Sequence, residues 1–345
     1  MSLESHNHGD FPKASVTPAA VSIVGNPPTE ESEETATIPE VDKLVITIIT
    51  DNYYDTLRPS TEFAKRHYIG PGSSLHAEHG LSYHVETVMD GQSHAFMFDY
   101  GADLHGVCKN MEVLQIDVER LEALGLSHGH WDHWGNMVGF LKSQRDKLQE
   151  GIPLYVGEDA FAHRFAQRPN GLSDLDQLRR EEIEELGFVK IVEIGAPTQI
   201  VPGAYLTGHI ERTTDYEKSK PTMLIKRADK LEPDAFTGEQ GLIFNVKGKG
   251  LVVVTSCAHC GVVNTIRHAQ KVAGVDKIHA ILGGFHLTGA SPELIQRTVA
   301  DIKAFAPDHI IPMHCTGFET ISLLANEMPD QFFLNTVGTQ YTFGA

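Results

Sequence analysis

Short runs of apolar and β-branched residues, separated by polar and turn residues, dominate the first part of the chain and predict β-strands at 44–50, 81–88 and 94–98. Helix-compatible spacing follows, and it predicts helices at 113–123 and 174–186 and one that begins near His133. Strands and helices therefore alternate in the middle of the chain, which is typical of an α/β fold.

Further apolar runs predict strands at 124–127, 153–156, 189–194, 205–207, 278–282 and 309–312. Two more runs, at 241–246 and 250–255, flank Lys247-Gly248-Lys249 and predict a hairpin. Two rounds of strands, each followed by strand–helix alternation, predict a sandwich of two mixed sheets with helices on both outer faces.

The first 43 residues differ from the rest in composition, since they are rich in Pro, Ser, Thr, Glu and Gly and lack apolar periodicity. They predict a disordered N-terminal tail before one domain at 44–345. Within that domain, residues 212–240 form the longest segment without a predicted element, and a long ordered loop in an enzyme is often a lid or a binding loop.

The charge of the chain narrows the choice of partners. Its 46 acidic and 28 basic residues give a formal net charge of -18, which disfavours nucleic acid and favours a small-molecule substrate.

The sequence has no apolar run long enough for a membrane helix and no secretory signal pattern, so we expect no membrane partner and a cytoplasmic location. The four cysteines are too few for a disulfide scaffold and predict reduced thiols. Nothing in the sequence indicates an oligomeric state.

The strongest chemical signal is the segment H-G-H-W-D-H at 128–133, which follows an apolar strand. Residues two apart at a strand end point to the same side, so His128 and His130 can bind one metal ion. Asp132 and His133 enter the next turn and can bind a second ion. Imidazole and carboxylate ligands favour zinc, with iron and manganese as alternatives, so we predict two Zn²⁺ per chain. A polar helix cap explains Asp132 alone but not the histidine spacing.

Three strands later in the chain also end in a histidine, namely His209, His259 and His314. Each of them alone is equally compatible with a structural role, but together with the first motif they predict further metal ligands. Cys257 is interpreted either as a thiolate ligand or as a small buried residue. Cys108 and Cys315 are interpreted as structural.

The motif H-x-H-x-D-H, followed by histidines at later strand ends, resembles the metallo-β-lactamase superfamily over residues 44–345. The resemblance implies an αββα sandwich with the metals at one edge, between the sheets. It also implies that Asp99, in F-D-Y-G at 98–101, is a structural aspartate beside the metal ligands.

A narrower resemblance rests on A-E-H-G-L-S at 77–82, T-S-C-A-H at 255–259, G-G-F-H-L at 283–287 and P-M-H-C-T-G at 312–317. These segments are similar to the subgroup named after the dihydropterin ribofuranosylaminobenzene phosphate synthase of methanopterin biosynthesis. The chain departs from the usual T-G-C-S-H at Ser256 and Ala258, and from G-E-I-P-R in G-H-I-E-R at 208–212. His209 would then supply the third histidine that hydrolases of the superfamily use.

The predicted function is metal-dependent hydrolysis, in which metal-bound hydroxide attacks the carbonyl of a small lactam, lactone or ester. Asp132 would orient the nucleophile or relay a proton. Trp131 and Trp134 are predicted to line an apolar substrate pocket, although helix packing explains Trp134 equally well. His79 and His286 are further candidates for this pocket, with a structural role as the alternative.

Two other activities remain open. One is a synthase-like condensation or phosphoester reaction on a pterin-type substrate, with phosphate contacts from the basic residues Arg212, Lys218, Lys220, Lys226 and Arg227. The other is hydrolysis of a thioester or persulfide by an iron centre. A non-catalytic binding protein is disfavoured because the ligand pattern is intact.

Overall fold

A computed structural model describes residues 38–345, and this part of the chain contains the following elements. The strands are β1 (Glu40–Val41), β2 (Lys43–Thr50), β3 (Ala64–Lys65), β4 (Ser82–Met89), β5 (Gln92–Phe98), β6 (Leu121–Gly125), β7 (Ile152–Gly157), β8 (Arg164–Arg168), β9 (Gly171–Asp174), β10 (Val189–Ile194), β11 (Thr198–Val201), β12 (Ala204–Leu206), β13 (Met223–Arg227), β14 (Lys230–Pro233), β15 (Leu242–Val246), β16 (Gly250–Val254), β17 (Ile278–Gly283), β18 (His309–Pro312) and β19 (Gln340–Gly344). The α-helices are α1 (Leu104–Val113), α2 (Trp131–Trp134), α3 (Met137–Ser143), α4 (Arg180–Glu184), α5 (Val262–Ala273), α6 (Pro292–Ala304) and α7 (Phe318–Glu327).

The strands within residues 38–345 form two large mixed sheets and one small sheet. The first large sheet has the order β10-β7-β6-β5-β4-β2-β19-β3. The second has the order β11-β12-β15-β16-β17-β18, with β1 paired to β15. Both contain parallel and antiparallel pairs, such as parallel β5–β6 and antiparallel β4–β5 in the first.

Alternation along the strands shows why the two sheets pack face to face. In β5, Phe96 and Phe98 point into the core between the sheets, whereas Met97 points to the opposite face. In β16, Val254 faces that same central core and Val253 faces outwards. Because both faces of these strands are buried, the runs are continuously apolar rather than alternating with polar residues.

The helices cover the outer faces of the sandwich. Val107 of α1 and Phe140 of α3 pack on the first large sheet. Ile266 of α5, Ile302 of α6 and Leu324 of α7 pack on the second. The predicted αββα architecture is therefore confirmed.

The ordered fold extends upstream of the predicted boundary at residue 43. Ile38 is buried, and Glu40 and Val41 pair in parallel with Asn245 and Val246. The apolar side chains of Ile38 and Val41 explain why this short segment joins the sheet. The rest of the predicted disordered tail, residues 1–37, lies outside the described residues.

Two predicted helices differ from the structure. At 113–123 the chain instead ends helix α1, passes Gln115 with a positive φ of 56°, and enters strand β6. β6 is a strand because it fills the position between β5 and β7. At 174–186 only α4 is helical, because Asp174 ends β9 and residues 175–179 have no regular structure. Sheet pairing overrides local helix propensity in the first of these two places.

No element was predicted in the segment 212–240, but the structure shows regular structure there. It contains the hairpin β13–β14, which joins β8 and β9 in a four-stranded sheet. No helix within residues 38–345 combines the length and the apolar composition needed to cross a membrane.

A buried ion cluster connects the small sheet to the backbone of the H-G-H segment. Arg164 at the start of β8 is fully buried and donates hydrogen bonds to Asp234 at 2.9 Å and Asp159 at 2.8 Å. A Cβ at Gly129 would collide with the guanidinium of Arg164, so glycine is required there. The cluster thus supports the backbone that lies between the two histidines of the segment.

The substitution Arg164→Met should destabilise the fold by about 3–5 kcal/mol, because it leaves two buried carboxylates without their cation. The measurement is the free energy of unfolding from denaturant titration. Lys303→Met is the control, since it breaks the exposed pair between Lys303 and Glu327 and should cost less than about 1 kcal/mol. Similar small losses for the two variants would contradict the structural role of Arg164.

Candidate metal centre

The loops that follow the inner strands meet at one edge of the sandwich and carry the chemistry. The loop after β6 holds His128 and His130, and α2 begins at the next residue and carries Asp132 and His133. His259 follows β16, and His314 follows β18 at the start of a 3-10 turn. All six side chains are buried, although they are polar.

The first set of donors consists of three imidazoles. The ring centroids of His128 and His130 are 4.8 Å apart, and the ring of His259 lies 4.9 Å from the first and 4.8 Å from the second. The ring of Phe236 stacks on His259 with centroids 4.0 Å apart and planes 5° apart. This stacking fixes the imidazole against the other two.

The second set surrounds the carboxylate of Asp132. Its Oδ2 lies 3.3 Å from Nε2 of His314 and 3.7 Å from Nε2 of His133. Together with Cys257, these residues place their donor atoms within 4.8 Å of one another. The predicted motif residues are therefore brought together as two adjacent donor sets.

Cys257 lies at the junction of the two sets. Its Sγ is 3.2 Å from Nε2 of His133, and it shares a second group of donors with His128 and His259. Of the two interpretations of Cys257 from the sequence, this position favours a thiolate donor.

Asp99 orients this centre from below, although it is not one of the converging donors. Its carboxylate accepts hydrogen bonds from Nδ1 of His133 at 2.8 Å and from the backbone N–H and hydroxyl of Ser127, both at 2.8 Å. The hydroxyl of Ser256 donates a further hydrogen bond to Oδ2. The bond to His133 directs Nε2 of that ring towards Cys257 and Asp132.

Burial sets the protonation states of the imidazoles in the first set. It lowers the pKa of His128, His130 and His259 well below the usual histidine value, and neighbouring imidazoles lower the pKa of His128 and His259 further. These histidines are therefore neutral at pH 7, which is the form that binds metal ions.

The second set behaves as an ion pair. Burial alone would lower the pKa of His314, but Asp132 outweighs it and raises the value to about 9. Burial would likewise raise the pKa of Asp132, yet His133 and His314 hold it well below the usual carboxyl range. In the absence of a metal the proton on His314 balances the charge of Asp132, and a divalent cation bound to this set would take the place of that proton.

A buried nitrogen without a hydrogen bond tests whether a metal fits. Nε2 of His259 makes no hydrogen bond within the described part of the chain, whereas Nε2 of His314 has Oδ2 of Asp132 at 3.3 Å. Leaving the nitrogen of His259 unpaired inside a protein is unfavourable, and it belongs to the first donor set. The residues therefore fit the divalent metals that the fold implies.

A cavity of about 370 Å³ opens above the donors. Among its lining residues are the predicted pocket residues Trp131, His79 and His286. Trp131 is 41% exposed, and Nε2 of His79 lies 3.4 Å from Oδ2 of Asp132. The structure thus brings these three predicted pocket residues to the mouth of the site.

His209 is separated from the cluster, contrary to its prediction as a ligand. It is exposed, and its Nδ1 lies 3.0 Å from the carbonyl oxygen of Thr237. Gly208, with a φ of 63°, ends the extended backbone before this residue. His259 supplies the third imidazole of the first set instead, although it comes from a different strand end.

Three residues of the site were missed or assigned otherwise from the sequence. Cys315, interpreted as structural, has its Sγ 3.4 Å from Sγ of Cys257. Glu239 accepts hydrogen bonds from the backbone N–H of His259 at 2.7 Å and of Cys260 at 2.6 Å. Arg168 lines the cavity. The pattern M-H-C at 313–315 was a usable signal for Cys315, whereas Glu239 and Arg168 depend on contacts that no local pattern reveals.

The basic residues of the 212–240 segment have different environments. Only Lys220 among the five lines the cavity above the donors. Arg212 is held by the carbonyl oxygens of His259 and Ala235, at 3.2 Å each, and positions the loop. Lys226 and Arg227 are exposed on β13.

Comparisons with known proteins identify sequence relatives of this chain. The scan against protein-family models finds no match. A Methanocaldococcus jannaschii protein named 7,8-dihydropterin-6-methyl-4-(β-D-ribofuranosyl)-aminobenzene-5'-phosphate synthase is 30% identical over 271 residues, covering 77% of this chain and 90% of that protein. An uncharacterized protein of the same organism is 27% identical over 249 residues, covering 72% of this chain and 88% of that protein.

A solved structure shows the same fold. The crystal structure of Tm1679, described as a metal-dependent hydrolase of the beta-lactamase superfamily, matches with a TM-score of 0.68 at 20% sequence identity. The match covers 88% of this chain and 100% of that one. Because it is 30% identical to the Methanocaldococcus jannaschii synthase over most of both chains and has the same two-sheet fold as Tm1679, the chain belongs to the metallo-β-lactamase superfamily, in the family of the dihydropterin ribofuranosylaminobenzene phosphate synthase.

Proposed function

We propose that this protein is a hydrolase that holds two divalent metal ions, with zinc as the first choice. The observation that carries the proposal is the convergence of two buried donor sets beneath an open cavity, the first of them with the unpartnered Nε2 of His259. His128, His130 and His259 would hold one ion, and Asp132, His133 and His314 the other. Cys257 lies where it can serve either set.

Bound divalent ions would supply an activated water and Lewis-acid polarisation of a carbonyl oxygen. The surrounding side chains have separate tasks. Asp132 accepts or relays a proton, because its carboxylate faces the cavity between the two sets and remains ionised. Asp99 keeps His133 in one orientation and one tautomer.

The cavity favours a small substrate with an apolar face. The half-exposed indole of Trp131 borders it, and His79 and His286 add polar groups at the same opening. An aromatic wall beside a few polar groups is typical of small-molecule sites. Hydrolysis of a small lactam, lactone or ester is therefore the first proposed reaction.

A second candidate function follows from Lys220. Its side chain is half-buried in the cavity, and its ammonium group has no ion pair among residues 38–345. Burial lowers the pKa of Lys220, and the facing thiols of Cys315 and Cys257 oppose that shift. An unpaired cation at this place favours an anionic group on the substrate, as in phosphoester or synthase-like chemistry.

The purified protein should contain about two zinc ions per chain and show metal-dependent ring opening or ester hydrolysis. Metal analysis is combined with assays on lactams, lactones, thioesters and phosphodiesters. The variant His259→Ala should lose about one ion, as should His130→Ala, because each removes a ligand of the first set. Iron in place of zinc, together with thioester turnover, would favour the thioester or persulfide alternative.

His209→Ala is the matched control, since this histidine also follows a strand but is exposed and bonded to Thr237. It should retain the metal content and the activity of the unaltered protein. Equal metal loss in the His209 and His259 variants would contradict the assignment of the first donor set.

The variant Asp99→Asn should weaken zinc binding about 10- to 100-fold. An amide cannot accept all the hydrogen bonds that the carboxylate of Asp99 accepts, and one of these orients His133. Zinc affinity is measured by competition with a chromophoric chelator, with circular dichroism to establish folding. Asp308→Asn is the control, since it alters a similar carboxylate–histidine pair, with His279 at 2.7 Å, away from the site. A folded Asp99 variant with unaltered affinity would rule out this role.

If the substrate carries phosphate, Lys220→Ala should lower kcat/KM for phosphorylated substrates by about tenfold to a hundredfold, the worth of one charge-assisted hydrogen bond. Lys226→Ala is the control and should have little effect, because Lys226 is exposed on β13 and does not line the cavity above the donors. Turnover is compared between phosphorylated and neutral substrates. Equal turnover by both variants and the unaltered protein would count against the hypothesis that Lys220 binds a phosphate group of the substrate.

A further inference from the structure

Two thiols lie in contact with each other at the centre, and with His286 they form a third group of converging donors. Sγ of Cys315 lies 3.4 Å from Sγ of Cys257, and neither forms a disulfide. Both side chains are almost fully buried in the fold, yet both line the cavity through which a substrate would reach the site. A small solute in that cavity can therefore reach this thiol pair.

The contact depends on the strand between the two cysteines. Cys257 follows β16 and Cys315 follows β18, so β17 separates their strands in the sheet. A Cβ at Gly284, just after β17, would lie 2.7 Å from Sγ of Cys315 and would collide with the carbonyl oxygen of Ser256. Glycine at this position opens the gap across which the two loops meet.

Hydrogen bonds hold the loops in that arrangement. The N–H of Gly284 donates to the carbonyl oxygen of Ser256 at 2.9 Å, and the N–H of Phe285 donates to Oγ1 of Thr316 at 3.1 Å. Thr288 donates to the carbonyl oxygen of Cys315 from its backbone at 3.2 Å and from its hydroxyl at 2.9 Å. The thiols thus face each other between two loops that hydrogen bonds hold together.

We propose that Cys257 and Cys315 form an oxidative modification site, a thiol pair that hydroperoxides convert reversibly into a disulfide. A disulfide has an S–S length of about 2.0 Å, so the sulfurs must approach by somewhat more than an ångström. Disulfides in proteins of reducing compartments are typically reversible and regulatory, in contrast to structural ones.

The reaction is balanced by one molecule of hydroperoxide. The sulfur of Cys315, which with Cys257 and His286 forms a third group of converging donors, attacks the peroxide oxygen. The O–O bond breaks and the thiol proton passes to the departing oxygen, which leaves a sulfenic acid and releases the alcohol or water. The sulfur of Cys257 then attacks the sulfenic sulfur, the S–O bond breaks and water leaves. Two thiols are oxidised by two electrons, and the peroxide is reduced.

The modification would alter the metal centre, because Cys257 belongs to both donor sets. A disulfide sulfur carries no negative charge and is a poor metal ligand compared with a thiolate. Oxidation should therefore weaken metal binding. Only this consequence rests on the proposed function, whereas disulfide formation itself rests on the two thiols alone.

The test treats the full-length, metal-loaded protein with hydrogen peroxide and then measures its free thiols and its intact mass. The thiol count should fall from four to two, with a mass loss of two hydrogens, and dithiothreitol should restore both. Cys315→Ser should not lose the two hydrogens. Cys108→Ser should still lose them, since Cys108 is on α1 and half-buried elsewhere.

Zinc release, followed with a chromophoric chelator in the same samples, tests the consequence separately. Release together with disulfide formation in the unaltered protein, but not in Cys315→Ser, supports the link to the metal centre. A disulfide without zinc release leaves the modification site intact and argues against Cys257 as a ligand. Four unreacted thiols, or added oxygen in place of lost hydrogens, would overturn the proposal.

Discussion

The buried carboxylate of Asp99 is the interaction on which the rest of the site depends. It follows β5 of the first large sheet and accepts hydrogen bonds from Ser127, after β6 of the same sheet, and from Ser256, after β16 of the second sheet. Its bond to His133 adds helix α2 to the same junction. One carboxylate therefore connects the edges of both sheets to the helix that carries Asp132.

An anion buried among hydrogen-bond donors is stable only if its partners are complete. The donors come from three separate segments, so Asp99 is satisfied only when those segments lie together. The same condition places His133 beside Cys257 and Asp132. The packing of the two sheets thus also brings the candidate donors together.

The acidic composition of the chain does not extend into the cavity. The formal net charge is -18, but Lys220 and Arg168 border the opening above the donors. The carboxylate of Asp132 and the thiols of Cys257 and Cys315 line the same opening, so the cavity combines charges of both signs and differs from the acidic chain as a whole.

Much of the centre was readable from the sequence because its signals are local. The spacing in H-G-H-W-D-H identifies four donors, since strand and turn geometry alone place them on one side. Continuous apolar runs identified most strands of both sheets. Residues 113–123 were assigned to the wrong element because pairing within a sheet, rather than local propensity, decides the conformation of β6, whereas 174–186 is helical only at 180–184.

The sequence by itself determined the superfamily, the αββα sandwich and the donors of the H-G-H-W-D-H segment. The tertiary structure decided which distant strand end completes the first donor set: His209 and His259 look alike in sequence, but only His259 reaches it. It also decided that Cys315 faces Cys257 across Gly284 and that Glu239 holds the backbone of His259. These relations join segments far apart along the chain, and the packing of the two sheets, not residue spacing, sets the distances between them.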